Sequence, residues 1–164
     1  MGWSPTAAQA QAASDNANAR VVMLSSGQLV STRALDFGDI LASTAGTVTV
    51  APAGTIAFTG GVTPLGGNHS SGQFIGIGTR NRLIRLTVTP TQITITNGTG
   101  GSMIVDNFTI GGLNGLNQNG NSSNYRIIAA NGQFTFNVGA RLNVAANQAP
   151  GTYSGTYNVD FNYQ

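Results

Sequence analysis

Phe134-Thr135-Phe136-Asn137-Val138-Gly139-Ala140-Arg141-Leu142-Asn143-Val144 carries an apolar side chain at every even position and a polar or small residue at every odd one. A period of two marks a strand with one buried face and one wet face. Beyond the turn residues Asn147-Gln148-Ala149-Pro150-Gly151, the alternation resumes as Tyr157, Val159, Phe161 and Tyr163 against Asn158, Asp160 and Asn162. The two segments are expected to close one shared apolar interior, with Tyr157 and Tyr163 facing inward.

The same period runs upstream. Val48 and Val50, the turn Pro52-Ala53-Gly54, then Ile56 and Phe58 predict a hairpin. Phe74, Ile75 and Ile77 predict a strand around Gly76 and Gly78. Residues 79–82 form a turn before Ile84, Leu86 and Val88. Pro90 belongs at an edge or bend, because proline lacks the donor a central strand needs, and Ile93 and Ile95 follow it. Asn97-Gly98-Thr99-Gly100-Gly101 is a strong turn signal. Met103 and Val105 then give way to Phe108 and Ile110, a change of parity at Asp106-Asn107 that predicts a bulge. Nearer the start, Leu35-Asp36-Phe37-Gly38-Asp39-Ile40 reads as a strand with a bend at Gly38. Tyr125 to Ile128 forms another strand. Residues 60–72 and 111–124, rich in Gly, Asn and Ser, read as loops. The result is an all-β chain of about eight to ten short strands, an antiparallel β-sandwich of Ig-like or pilin-like form. Residues 14–164 are expected to make a single domain.

Composition narrows the function. Gly numbers 23 of 164 residues, charged residues make up only 7%, and the sequence holds no Lys, no Glu and no Cys. A disulfide framework and thiolate metal ligands are thereby excluded. Seven Arg against five Asp leave a net charge of +2, too dilute for a nucleic-acid footprint. No apolar run approaches the roughly 20 residues of a membrane-spanning helix. The single His69, with no acidic neighbour and only Ser70 and Ser71 beside it, reads as a solvated residue rather than a metal ligand or base. Asp36 and Asp39, three apart on a strand, face opposite sides and suit turn capping better than acid–base work. Gly76-Ile77-Gly78 lacks the third glycine and the following helix of a dinucleotide site. A non-enzyme without cofactor or metal is the expectation.

The opening residues 1–13 contain Ala8-Gln9-Ala10 and Ala10-Gln11-Ala12, both of the small-x-small form cut by signal peptidase, without a basic start or apolar stretch before them. They are either the tail of an export signal or an Ala/Gln leader with no processing history; both readings place them outside the fold. Ala17, Ala19, Val21 and Met23 alternate with Asn18, Arg20 and Val22. Such a strand can pair within its own domain or add to the sheet edge of another molecule.

Leu35-Asp36-Phe37-Gly38, the run from Phe136 to Val144, Pro150-Gly151-Thr152-Tyr153-Ser154-Gly155-Thr156-Tyr157 and the closing Val159-Asp160-Phe161-Asn162-Tyr163 together resemble a bacterial family, domain of unknown function 4402. Its members look like exported all-β proteins, similar in layout to spore coat protein U and to pilin subunits. Two features depart from pilins: there is no cysteine pair, and the alternating N-terminal segment is short. The resemblance implies export to the cell surface, the medium or the periplasm. Two roles follow as expectations. One is a structural subunit of a surface filament or coat that self-associates through Ala17, Ala19, Val21 and Met23. Burying those side chains would contribute on the order of 4 to 8 kcal/mol before ordering costs. The other is a monomeric secreted or periplasmic binding module, with glycans as one candidate ligand, that recognises it with residues 60–72 and 111–124.

Overall fold

The computed structural model describes residues 27–120 and 123–164. The leader and the strand expected at Ala17, Ala19, Val21 and Met23 lie outside the described residues. The organising strand is β10 (Gln133–Val144), whose even side chains from Phe134 to Val144 are all 4% exposed or less. Along one edge it pairs with β7 (Ser102–Asn114). Its other edge is shared: residues 133–138 pair with β4 (Gly72–Ile77) and residues 140–144 with β2 (Asp36–Val50). Outside these lie β1 (Gln28–Arg33) on β4, β3 (Ile56–Ser70) on β2 and β6 (Ile93–Thr96) on β7, completing a seven-stranded sheet. A second sheet has the order β11 (Asn158–Tyr163), β5 (Leu83–Thr89), β9 (Asn124–Ile127), β8 (Leu116–Gln118). Every pairing is antiparallel, and the two sheets form a β-sandwich.

Two apolar clusters divide the interior. The first packs Phe134, Phe136 and Val138 of β10 with Phe74 of the same sheet against Ile84, Leu86, Tyr125 and Ile127 of the smaller sheet. Phe74 and Phe136 stack with centroids 5.4 Å apart. The second contains Ala140, Leu142 and Val144 with Val48, Val62, Ile95, Met103 and Val105. All of these side chains come from the seven-stranded sheet; the smaller sheet supplies none of its buried members.

Local chemistry explains the strand breaks. Gly38 has φ of +73°, a conformation that L side chains rarely adopt, and the β2–β3 register shifts there. Asp36 caps the bend, its carboxylate accepting the Gly38 N–H at 2.8 Å. The bulge expected at Asp106-Asn107 is present: Asn107 has φ of +49°, and the β10–β7 register shifts beside it. Asn97 builds its turn through Oδ1, which accepts the N–H groups of Thr99 and Gly101 at 3.0 and 2.8 Å. The 52–54 turn joins β2 to β3 with Val50 opposite Ile56, the expected hairpin.

Four expectations need correction. The described residues hold eleven strands rather than eight to ten, and β2 and β3 are 15 residues each rather than short. Residues 60–72 are mostly not a loop, because β3 continues to Ser70 and places His69 opposite Phe37. Residues 111–124 are likewise strand at both ends: β7 runs to Asn114, and β8 buries Leu116 against the first core. A backbone ladder fills its hydrogen bonds whatever its side chains, so Gly- and Asn-rich sequence can extend a strand when a partner lies beside it. Finally, Tyr163 does not face fully inward; it is 38% exposed, its ring edge against Phe161 and its hydroxyl accepting the Thr79 N–H at 2.9 Å.

Candidate functional site

Where the smaller sheet ends, an open cleft of about 950 Å³ lies beside the second core. Its floor is Ile95, Met103, Val105, Leu142 and Val144. One wall is the first half of β2. Beyond the register shift between Ala42 and Gly46, β2 leaves β10 and pairs with β3 alone, packing Phe37, Ile40 and Ala42, with Leu35 just ahead of the strand, against the second core. Leu41 and Leu65 also line the cleft and are 54% and 66% exposed. Large aliphatic groups left in water at a concave apolar surface are the usual sign of a contact site.

The opposite wall is the segment 148–155 together with Tyr157. Tyr153 is pinned there, its hydroxyl donating to the Ala149 carbonyl at 2.6 Å and accepting from Gln148 Nε2 at 2.8 Å. Ser154 bridges to Thr96 of β6 through both of its backbone groups, each bond 3.0 Å long. In an antiparallel ladder alternate residues bond to opposite sides, so the adjacent Tyr153 and Gly155 turn their backbone groups away from β6. The same parity continues into β11. Gln164 N–H donates to Leu83 O, which assigns the even residues of β11 to β5 and turns the N–H and C=O of Val159 and Phe161 away from it. Among the described residues β11 pairs only with β5, so the smaller sheet ends in an edge strand where it meets the cleft at Tyr157. Tyr157 packs against Phe74 and Phe108, and burial pushes its hydroxyl up to about 12.

The sequence-predicted positions do not converge. Asp36 and Asp39 border the cleft, with Asp36 engaged at Gly38. His69 sits exposed on β3, and Asp106 is paired with Arg141 at 2.9 Å on the far face of β10. The Arg141 hydrogen bonds hold the Asp106 carboxyl below the usual carboxylate range. The cleft itself was not foreseen. Its sequence signals are Leu65, within the stretch 60–72 that reads as a loop, and the run from Pro150 to Gly155, which reads as a turn and as part of the family resemblance.

Fold and cleft define a two-sheet, all-β sandwich domain in which the smaller sheet does not roof the second core and, among the described residues, a strand edge beside the cleft is unpaired. The chain belongs to the family described as a domain of unknown function (DUF4402), whose model matches residues 28–163. No curated protein and no solved structure matches it.

Proposed function

We propose that the chain is a non-catalytic structural subunit, exported to a bacterial surface filament or coat, that assembles by β-strand complementation. The segment carrying Ala17, Ala19, Val21 and Met23 of one copy lies in the cleft of the next, its apolar side chains over Leu142, Val144 and Met103. Its backbone pairs along the edge that Tyr153, Gly155 and Val159 leave unpaired among the described residues.

The open cleft beside a second core that the smaller sheet does not roof, with Leu41 and Leu65 exposed in it and an edge strand beside it among the described residues, carries the proposal. Chain direction supports it. Gly27 abuts Phe161 and Tyr163 at one end of the sandwich. From there β1 runs six residues to Ala34 and Leu35 on the rim of the cleft, a span of roughly 20 Å. A segment leaving one end and an acceptor opening toward the other suit a heterologous contact, which repeats into an open filament when its rotation does not close. The glycan-binding alternative would use residues 60–70 and 111–118 as exposed strand surface rather than as loops.

Size-exclusion chromatography and negative-stain microscopy of the protein with and without residues 1–24 test the proposal. Polymers from the intact chain and monomers from the shortened one are expected. Monomers from both would overturn it in favour of a binding module.

A further inference from the structure

The arginines are unevenly placed. Arg33 turns onto Ser71, its Nε donating to the Ser71 carbonyl at 2.9 Å and Nη2 to the hydroxyl at 3.1 Å, and Arg141 is held by Asp106. The other four described arginines, Arg80, Arg82, Arg85 and Arg126, all lie on β5, β9 and the turn before β5. Register puts Arg85 and Arg126 on one outer face, with Arg80 and Arg82 in the turn at its end. Arg126 is opposite Leu83 and Asn117, and Arg85 lies between Asn124 and Asn162. Arg85 and Arg126 are therefore diagonal neighbours, about 7 to 8 Å apart at their Cα atoms. Both are exposed, while Ile84, Leu86, Tyr125 and Ile127, which alternate with them, fill the core.

Two contacts order the group. Arg126 Nη1 donates to the Asn81 carbonyl at 2.8 Å, drawing the guanidinium toward the turn that bears Arg80 and Arg82. The Arg82 guanidinium sits 5.9 Å from the centre of the Tyr163 ring. The described carboxylate on this sheet is Asp160 of β11, which by register shares this outer face as a diagonal neighbour of Arg85 and accepts the Thr89 hydroxyl at 2.6 Å. Asp36, Asp39 and Asp106 belong to the other sheet.

We infer that the outer face of the smaller sheet binds a carboxylate-bearing polysaccharide. A guanidinium fork matches a carboxylate with two parallel charge-assisted hydrogen bonds. The amides of Asn117, Asn124 and Asn162, interleaved with the arginines, can donate and accept and so suit sugar hydroxyls. The face lacks the exposed aliphatic or aromatic stripe with which an interfacial segment enters a bilayer. Four cations are sparse for a duplex, where affinity grows with the number of phosphates neutralised. The inference is independent of strand complementation, since the cleft and this face share no residue named here.

Full-length protein is titrated with polygalacturonate, with neutral dextran and with duplex DNA, at about 0.02 M and about 0.5 M salt. Polygalacturonate should bind, dextran should not, and salt should weaken binding. R85A/R126A should lower affinity at least about tenfold, and R80Q/R82Q should lower it in the same direction. A57D/T63D, on β3, removes the same formal charge and should change affinity less than about twofold; circular dichroism checks that each variant is folded. Equal losses in R85A/R126A and A57D/T63D would reduce the effect to net charge and overturn the inference. So would DNA binding as tight as polygalacturonate binding, or no polygalacturonate binding by the intact chain.

Discussion

Replacing Gly76 by alanine should destabilise the fold, although alanine normally suits a strand better than glycine. Gly76 lies opposite Phe134 in the β4–β10 pair, and a Cβ there would run into Cζ, Cε1 and Cε2 of the Phe134 ring. The ring has little room to retreat: Phe134 is 1% exposed, with Phe136 and Phe161 at centroid distances of 6.4 and 5.7 Å. Overpacking of this kind costs about 1 to 3 kcal/mol, and the reduced freedom of the unfolded chain returns about 0.4 to 1 kcal/mol. Mid-range values, about 2 less about 0.7, leave a net loss of a little over 1 kcal/mol. At a urea slope on the order of 2 kcal/mol per M, the unfolding midpoint falls by roughly 0.5 to 1 M. F134L should lose stability alone, yet the cost of G76A should shrink in its presence, because the smaller side chain leaves room for the new methyl. A G76A midpoint equal to or above that of the unchanged protein, or additive losses in the double variant, would refute this account of the first core.

L41E/L65E should leave the unfolding midpoint of the chain lacking residues 1–24 nearly unchanged, since both side chains are already in water, but should abolish polymers of the intact chain by microscopy. N97A removes the acceptor of two backbone N–H groups and should lower stability by about 1 to 2 kcal/mol in a urea melt. Ultraviolet titration should show Tyr157 ionising only near pH 12. Because its folded value is raised, the stability it contributes is present below the ordinary tyrosine value and is lost as pH rises through 12; Y157F should reduce that alkaline loss. Asp106 behaves oppositely: its lowered carboxyl contributes stability above the ordinary aspartate range, lost as pH falls through the folded value, and D106N should flatten this small acid-side slope.

Much of the fold was legible wherever side chains alternate. The even residues of β10, the hairpin at 52–54 and the bulge at Asn107 all follow from positions that bury or expose one face. What escaped was strand whose identity comes from its partner. Gly66, Gly67, Asn68 and His69 show no apolar period, but Asp36, Phe37 and Asp39 lie beside them and complete the ladder. The cleft escaped for a related reason. Its floor alternates like any other core, and nothing local distinguishes a face covered by a second sheet from one left open. That distinction depends on where the smaller sheet ends, a long-range property of β5 and β11.

Strand exchange between copies can be tested most directly by cross-linking, because the chain has no cysteine of its own. V21C and L41C are prepared as separate proteins, mixed and oxidised, so that any bond between positions 21 and 41 must join two molecules. A V21C–L41C disulfide dimer is expected, well above the yield from V21C mixed with a T94C control. Equal dimer yields with L41C and T94C, or none with either, would contradict insertion of a neighbour's N-terminal segment into the cleft.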